Sequence, residues 1–174
     1  LRQIVREGES VSIVLQATDV DGDALSFDLA GAPTGGTLVP LGPDQREFRW
    51  TATDGEATYP FEIVVSDGTA SVRTEAAVLV HNVAPTLTVT GAPTALSKQP
   101  YTLHFGATDP GQDTVDSWVI DWGDGSDLQV VAGNAIQADH AVNLHPLHGV
   151  QVIQRAGGVQ QIGFWNLHDH HGGQ

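Results

Sequence analysis

Cysteine is absent from this chain of 174 residues. That excludes disulfide staples, thiol nucleophiles and thiolate metal sites, so stiffness has to come from another source. Methionine is absent as well, which marks the sequence as a piece expected to be cut from a longer polypeptide. Basic residues are scarce: 7 Lys and Arg stand against 21 Asp and Glu, a formal charge of -14. Such a balance excludes nucleic acid phosphates and anionic membrane surfaces as partners and favours counter-cations. Long apolar runs are missing too. The run at residues 76–80 is far too short to span a bilayer, so no membrane insertion is expected.

Helix signals are also nearly missing, and what is present is period-two alternation between Gly, Pro and Asp punctuation. Val11, Ile13, Leu15 and Ala17 alternate with polar residues. So do Leu25, Phe27 and Leu29, then Phe48 with Trp50, then Phe61, Ile63 and Val65. A last strand over roughly 72–80 puts Ala76, Val78 and Val80 on one side after the Asp67-Gly68 turn. Six or seven strands in about eighty residues predict a small Greek-key sandwich, with Leu25, Phe27, Phe48, Trp50, Phe61, Ile63 and Val78 as its core. After Pro85 a second series begins with Leu87 and Val89. It continues through 101–107, 117–121, 129–131 and 135–140. Trp118, Ile120 and Trp122 share one face at this spacing, which predicts packing rather than a sugar-stacking platform. Trp122-Gly123-Asp124-Gly125 carries an Asp-Gly pair, the signal of a tight hairpin turn.

Both halves place acidic residues just past a strand: Ala17-Thr18-Asp19-Val20-Asp21-Gly22-Asp23 and Ala107-Thr108-Asp109-Pro110-Gly111-Gln112-Asp113. Three aspartates spaced two apart repel one another unless something holds them together. A calcium ion, which takes six to eight oxygen ligands, is one such agent; a solvated turn in which Asp tolerates awkward backbone angles is the other. An EF-hand loop is excluded, since its obligatory sixth-position Gly is Ala24 and its twelfth-position Glu is Ala30.

The first half resembles the cadherin-like repeats of large bacterial surface proteins. The resemblance rests on Glu7-Gly8, Ala17-Thr18-Asp19-Val20-Asp21-Gly22-Asp23 with Leu25-Ser26-Phe27, Phe48-Arg49-Trp50-Thr51, Val64-Val65-Ser66-Asp67-Gly68 and Asn82-Val83-Ala84-Pro85. The second half is similar to the opening of a polycystin-type (PKD) domain. Ala107-Thr108-Asp109-Pro110-Gly111, Asp113-Thr114-Val115 and above all Trp118-Val119-Ile120-Asp121-Trp122-Gly123-Asp124-Gly125 carry that likeness. Together the resemblances imply two tandem immunoglobulin-like Greek-key β-sandwiches, at residues 1–84 and 85–140, in an all-β extracellular or cell-surface protein. They also imply calcium at the joints between repeats. Glu7, Asp54 or Glu56, and Asn82 would form one set with Asp109 and Asp113. Asp19, Asp21 and Asp67 would face a preceding repeat, and Asp23 is the third carboxylate of the candidate calcium triplet. The linker lacks the neighbouring aspartates of cadherin linkers, and Thr53-Asp54-Gly55-Glu56 matches their acidic segment only loosely. Weak, millimolar affinity is the expectation.

Residues 141–174 depart from the PKD pattern. They contain no Ser, Thr, Lys or Tyr, and every histidine except His81 and His104 falls between His140 and His171. Either residues 150–154 and 159–164 form a replacement hairpin across Gly157-Gly158, or the tail is a disordered or non-native continuation. In the second case the second sandwich is incomplete. His168, Asp169, His170 and His171 suit a transition metal chemically, but a solvated terminus is the expectation, because four-coordinate sites need ligands fixed by a fold.

No Ser, His and Asp set in strand-turn-helix context and no glycine loop before a helix is visible, so no catalysis is expected. Two non-catalytic classes remain. One is a calcium-stiffened structural and adhesive module whose partners are neighbouring repeats and a cell-surface protein or glycan. The other is a substrate-binding accessory of a secreted hydrolase, which would need Trp118, Trp122 or Trp165 exposed.

Overall fold

The computed structural model describes residues 1–96, 98–141, 143, 148–156 and 159–169, with the side chains of 148, 149, 154–156 and 159–169 left aside. The chain divides into two compact units. Leu1–Val83 with Pro110–Gln112 form one, and Ala84–Asp109 with Asp113–Gln174 form the other.

The first unit is built from β1 (Arg2–Arg6), β2 (Ser10–Gln16), β3 (Ser26–Ala30), β4 (Thr37–Gly42), β5 (Gln45–Thr51), β6 (Ala57–Ser66) and β7 (Ser71–His81). One sheet runs β1-β7-β6-β3 and the other β2-β5-β4. This crossing of consecutive strands between two sheets is the Greek-key sandwich that alternation predicts. Val11 and Leu15 of β2, Phe48 and Trp50 of β5, Phe61 and Ile63 of β6, and Ala76, Val78 and Val80 of β7 meet in one core. Each set is spaced by two, so every strand turns one face inward. The rings of Phe48 and Phe61 lie 4.7 Å apart, tilted by 30°. Truncating such a ring to Ala costs about 3–5 kcal/mol. Phe27 is only half-buried because its strand, β3, is an edge of its sheet, and Leu25, just before that strand, is half-buried as well. The other sheet's edge, β4, carries Pro40 and a register shift between Pro40 and Gly42, which blunts it against further pairing. β1 pairs with β7 in parallel, from Arg2 opposite Ala77 to Arg6 opposite His81.

The second unit contains β8 (Thr86–Gly91), β9 (Thr94–Ala95), β10 (Pro100–Thr108), β11 (Ser117–Asp121), β12 (Gln129–Ala132), β13 (Gln137–Ala141), β14 (His148–Ala156) and β15 (Val159–Asp169). Its sheets run β13-β10-β8 and β12-β11-β14-β15-β9. β14 pairs with β11 and with β15, both antiparallel, and Val150 and Val152 of β14 enter the core beside Trp118, Ile120 and Trp122. Trp118 and Trp122 are 2% and 1% exposed. The Trp118 indole N–H donates to the Gly133 carbonyl at 3.0 Å, and that of Trp122 donates to Gln129 Oε1 at 2.8 Å. Each ring is thus buried with its one polar group satisfied.

The Asp-Gly pair of the second unit does not form a two-residue hairpin turn. β11 and β12 do pair, with Ile120 opposite Gln129, but residues 122–128 make a longer loop. Gly123 and Gly125 hold the positive φ values, 69° and 81°. Asp124 is instead drawn inward by other bonds, described below.

Candidate metal centre

At one end of the first sandwich, three segments far apart in sequence are tied together by a single carboxylate. Glu7 follows β1 and is 2% exposed. Its own N–H donates to the His81 carbonyl at 3.0 Å, which continues the β1–β7 ladder by one residue. The side chain then reaches in two directions. Oε2 accepts the Gly55 N–H at 3.1 Å, and Oε1 accepts the Val83 N–H at 2.7 Å. The end of β1, the loop between β5 and β6, and the chain leaving β7 therefore share one acceptor.

The loop approaches the departing chain so closely that Gly is required at 55. A Cβ there would lie 2.5 Å from the Asn82 nitrogen and 2.7 Å from the His81 carbonyl carbon, far inside contact distance. Beside it, Glu56 Oε1 accepts the Asn82 N–H at 3.1 Å and sits 3.0 Å from His81 Nδ1. The imidazole first, and the Asn82 N–H next, hold the Glu56 carboxyl below the usual carboxylate range against a small opposing effect of burial. Asp54 is half-buried, and its carbonyl accepts the Tyr59 hydroxyl at 3.0 Å. Burial, and then the Asp54 charge, push the Tyr59 hydroxyl above its ordinary pKa. Asn82 Oδ1 is buried without a hydrogen-bond partner. A buried acceptor left unsatisfied is costly, roughly 1–3 kcal/mol, unless a cation or water meets it.

Of the expected ligands, Glu7 and Glu56 each bind the backbone of the segment leaving β7, at Val83 and Asn82, and Asp54 lies in the same loop as Glu56; among the described residues Glu7, Asp54 and Glu56 form no group of three whose ligand oxygens lie within 4.8 Å of one another. All offer oxygen, and a carboxylate that accepts one N–H per oxygen keeps lone pairs free, so the donor set fits a hard cation such as calcium. His81, beside Glu56, was not singled out by the sequence reading. Its position next to Asn82 was the available signal.

The other acidic end of this unit is arranged differently. β2 stops at Gln16, so Asp19, Asp21 and Asp23 lie beyond the strand. Asp19 Oδ1 accepts the N–H groups of Asp21 at 2.9 Å and Asp23 at 3.0 Å. Asp67 Oδ1 likewise accepts from Thr69 and Ala70, both at 2.6 Å. The Ala70 N–H first, and the Thr69 N–H next, lower the Asp67 pKa. These are turn-capping carboxylates. Among the described residues, Asp19, Asp21, Asp23 and Asp67 form no group of three whose ligand oxygens lie within 4.8 Å of one another. Asp19 and Asp67 do line one cleft of about 380 Å³, together with Leu25, Val65 and Val72.

In the second unit Asp109 and Asp113 are half-buried and flank Pro110–Gln112, which cluster with the first unit. The sequence reading overlooked Asp124 as a buried group. Its side chain is 0% exposed. Oδ1 accepts the Ser126 N–H at 3.0 Å, while Oδ2 accepts the Asn143 N–H at 2.9 Å and lies 3.0 Å from His140 Nε2. The His140 ring stacks on Trp122 at 5.0 Å. Burial alone would raise the Asp124 pKa, but the bonds from Asn143, Ser126 and His140 outweigh it and hold the group well below the carboxylate range. Ser126 Oγ is 3.3 Å from the same His140 Nε2. A proton relay needs the two ring nitrogens to face opposite partners. Here serine and aspartate share one nitrogen, so the trio is a structural clamp. The side chains of Trp165, His168 and Asp169, and residues 157, 158, 170 and 171, lie outside the described residues.

Comparison with known proteins agrees with this architecture. Residues 2–81 match the family model of the bacterial Ig domain, and the fold is accordingly an immunoglobulin-like β-sandwich. None of the curated proteins matches the chain in sequence. Among solved structures, domains A168–A170 of titin are similar at 12% identity and a TM-score of 0.52, over 97% of this chain and 63% of that one. Titin domains Z1Z2 in complex with telethonin are similar at 11% identity and 0.51, over 97% and 92%. An endo-fucoidan hydrolase of glycoside hydrolase family 107 aligns at 17% identity and 0.48, over 98% of this chain but 28% of its own length. At these identities the likeness concerns fold alone.

Proposed function

We propose that the chain is a non-catalytic structural and adhesive region of a large bacterial surface or secreted protein, and that calcium stiffens its first sandwich at the end where the chain leaves it. The observation that carries this reading is that Glu7 and Glu56 both hold the backbone of the segment leaving β7, at Val83 and Asn82, where Asn82 Oδ1 is buried without a hydrogen-bond partner, with Asp54 in the adjoining loop. Calcium supplies a divalent charge there. Glu7 and Glu56 hold the three segments in place, and Asn82 gains the partner its amide oxygen lacks. The match of residues 2–81 to a bacterial Ig domain supports the surface or secreted setting. Neighbouring repeats of the same polypeptide, and a cell-surface protein or glycan, are the partners this reading names. Burial of Trp118 and Trp122 removes two of the three rings on which a substrate-binding accessory would depend.

The test is a thermal melt with excess chelator and again with calcium. A site occupied at ten times its Kd adds about 1.4 kcal/mol by mass action, so the melt should move upward in calcium and not in magnesium. Glu7→Gln and Glu56→Gln should each abolish the shift. Equal melts with chelator and with calcium would sink the proposal.

A further inference from the structure

β12 is an edge strand: β11 pairs it from Gln129 to Ala132, and among the described residues no strand lies on its other side. It is also an internal strand, entered from residues 122–128 and left through 133–136, all of them described. Edge strands present unpaired N–H and C=O groups and ordinarily carry a device against further pairing. β4 has Pro40 and a register shift. β3 has Asp28, whose Oδ1 takes up the Leu29 N–H at 2.8 Å. β12 has no proline, no charge and no register shift across its pairing with β11.

The outer face beside this edge is apolar, where a sheet face turned to water is ordinarily polar. Trp118 and Ile120 of β11 belong to the core, so Val119 between them lies on the opposite face, yet it is only 5% exposed. Its register partners are Val130 of β12 and Ile153 of β14. Ile153 is half-buried, whereas Val130 is 64% exposed, and Leu128, two residues before it, is exposed as well. An apolar row therefore begins inside the sheet and runs out, uncovered, to its free edge.

Charge selects the occupant. The chain carries a formal charge of -14, yet residues 128–138 contain no Asp, Glu, Lys, Arg or His. Asp127 precedes the stretch and Asp139 follows it. Asp121 of β11, opposite Gln151, accepts the Gly123 N–H of its own loop. A charged strand of either sign would find no partner for its charge along this edge. An uncharged apolar strand fits, and residues 128–132 of a second copy are one. We infer that β12 is a self-association edge, at which two copies of the chain pair antiparallel about a two-fold axis through Val130. An axis placed on a residue keeps the two outer faces on the same side of the joined sheet. Val130 then meets Val130 of the second copy, Leu128 meets its Ala132, and the apolar row of one copy runs on into that of the other. The contact is small, so the pairing is weak in dilute solution and acts where copies are held close together. Its residues are distinct from those proposed for calcium.

The test is sedimentation of the full chain from micromolar to millimolar concentration, in chelator and again in calcium, with hydrogen exchange read at both extremes. A reversible dimer is expected, the same in both solutions, with exchange at residues 129–131 slowed at high concentration. Added salt should strengthen it by screening the repulsion between two acidic chains, whereas salt would weaken a contact between opposite charges. Val130→Lys, at an exposed position, should weaken the dimer about tenfold or more with the melt unchanged, although it lowers the net negative charge. Val130→Glu should do the same. An equimolar mixture of the two variants should associate again, because the axis sets the substituted positions opposite each other. A chain that stays monomeric at millimolar concentration would overturn the inference. So would a dimer that tolerates Val130→Lys, a mixture of the two variants that stays monomeric, or a dimer that forms only with calcium, since the contact would then lie at the acidic ends.

Discussion

The two ends of the first sandwich use the same chemical group for opposite purposes. At the Glu7 end a carboxylate accepts N–H groups from Gly55 and Val83, 48 and 76 residues away. At the Asp19 and Asp67 end, carboxylates accept N–H groups from their own turns, two to four residues on. Sequence separation between acceptor and donor therefore distinguishes a tertiary clamp from a local turn. A local cap re-forms easily in any chain that makes the turn. A clamp exists only in the folded state, so its loss falls wholly on folding stability.

The largest effect should come from Glu7→Ala. It strips two buried N–H groups of their acceptor, at roughly 1–3 kcal/mol each, and should lower the urea midpoint of the first sandwich accordingly. Glu7→Gln, which retains an acceptor, should cost less. A midpoint unchanged in Glu7→Ala would erase the distinction between the two ends. Next in size is Gly55→Ala. The added methyl meets backbone at Asn82 and His81, which cannot yield as a side chain does, so a loss of about 1–3 kcal/mol is expected by the same assay.

Asp124 extends the comparison to the second sandwich. A folded-state pKa held below the ordinary value means stability fully present above about pH 4 and lost as pH falls below it. The melt of the second sandwich should drop progressively as pH falls below about 4, and Asp124→Asn should flatten that dependence while lowering stability at neutral pH. A wild-type melt insensitive to acid would contradict the clamp. The smallest effect should be that of Asp19→Ala, which removes one turn cap and costs about 1 kcal/mol or less. A loss as large as that of Glu7→Ala would make the two ends equivalent after all.

How much of this was legible in the sequence follows from the same physics. Alternation located β2, β3, β5, β6 and β7 because each buries one face, and Phe48, Trp50, Phe61, Ile63 and Val78 were readable as core. β1 was not, since Arg2-Gln3-Ile4-Val5-Arg6 buries Val5 while Ile4 stays largely exposed. β4 was hidden by Pro40 and Gly42, residues that ordinarily break strands and here mark an edge. Its parallel partner is what places β1, and pairing direction leaves no trace in composition. Glu7, Glu56 and Asn82 could be named through a family resemblance, but their actual partners are mostly backbone N–H groups, which every sequence position offers alike. Asp124 was read as a turn residue because Asp-Gly suits a turn. Its burial depends on His140 and Asn143, which lie far along the chain.

One consequence of the parallel β1–β7 pair concerns force. Tension on this region pulls Leu1 back along β1 and Val83 forward beyond β7. Because the two strands run the same way, that load slides them past each other, and the five register pairs from Arg2 and Ala77 to Arg6 and His81 are strained together. A hairpin pulled at its open ends would instead give way one bond at a time.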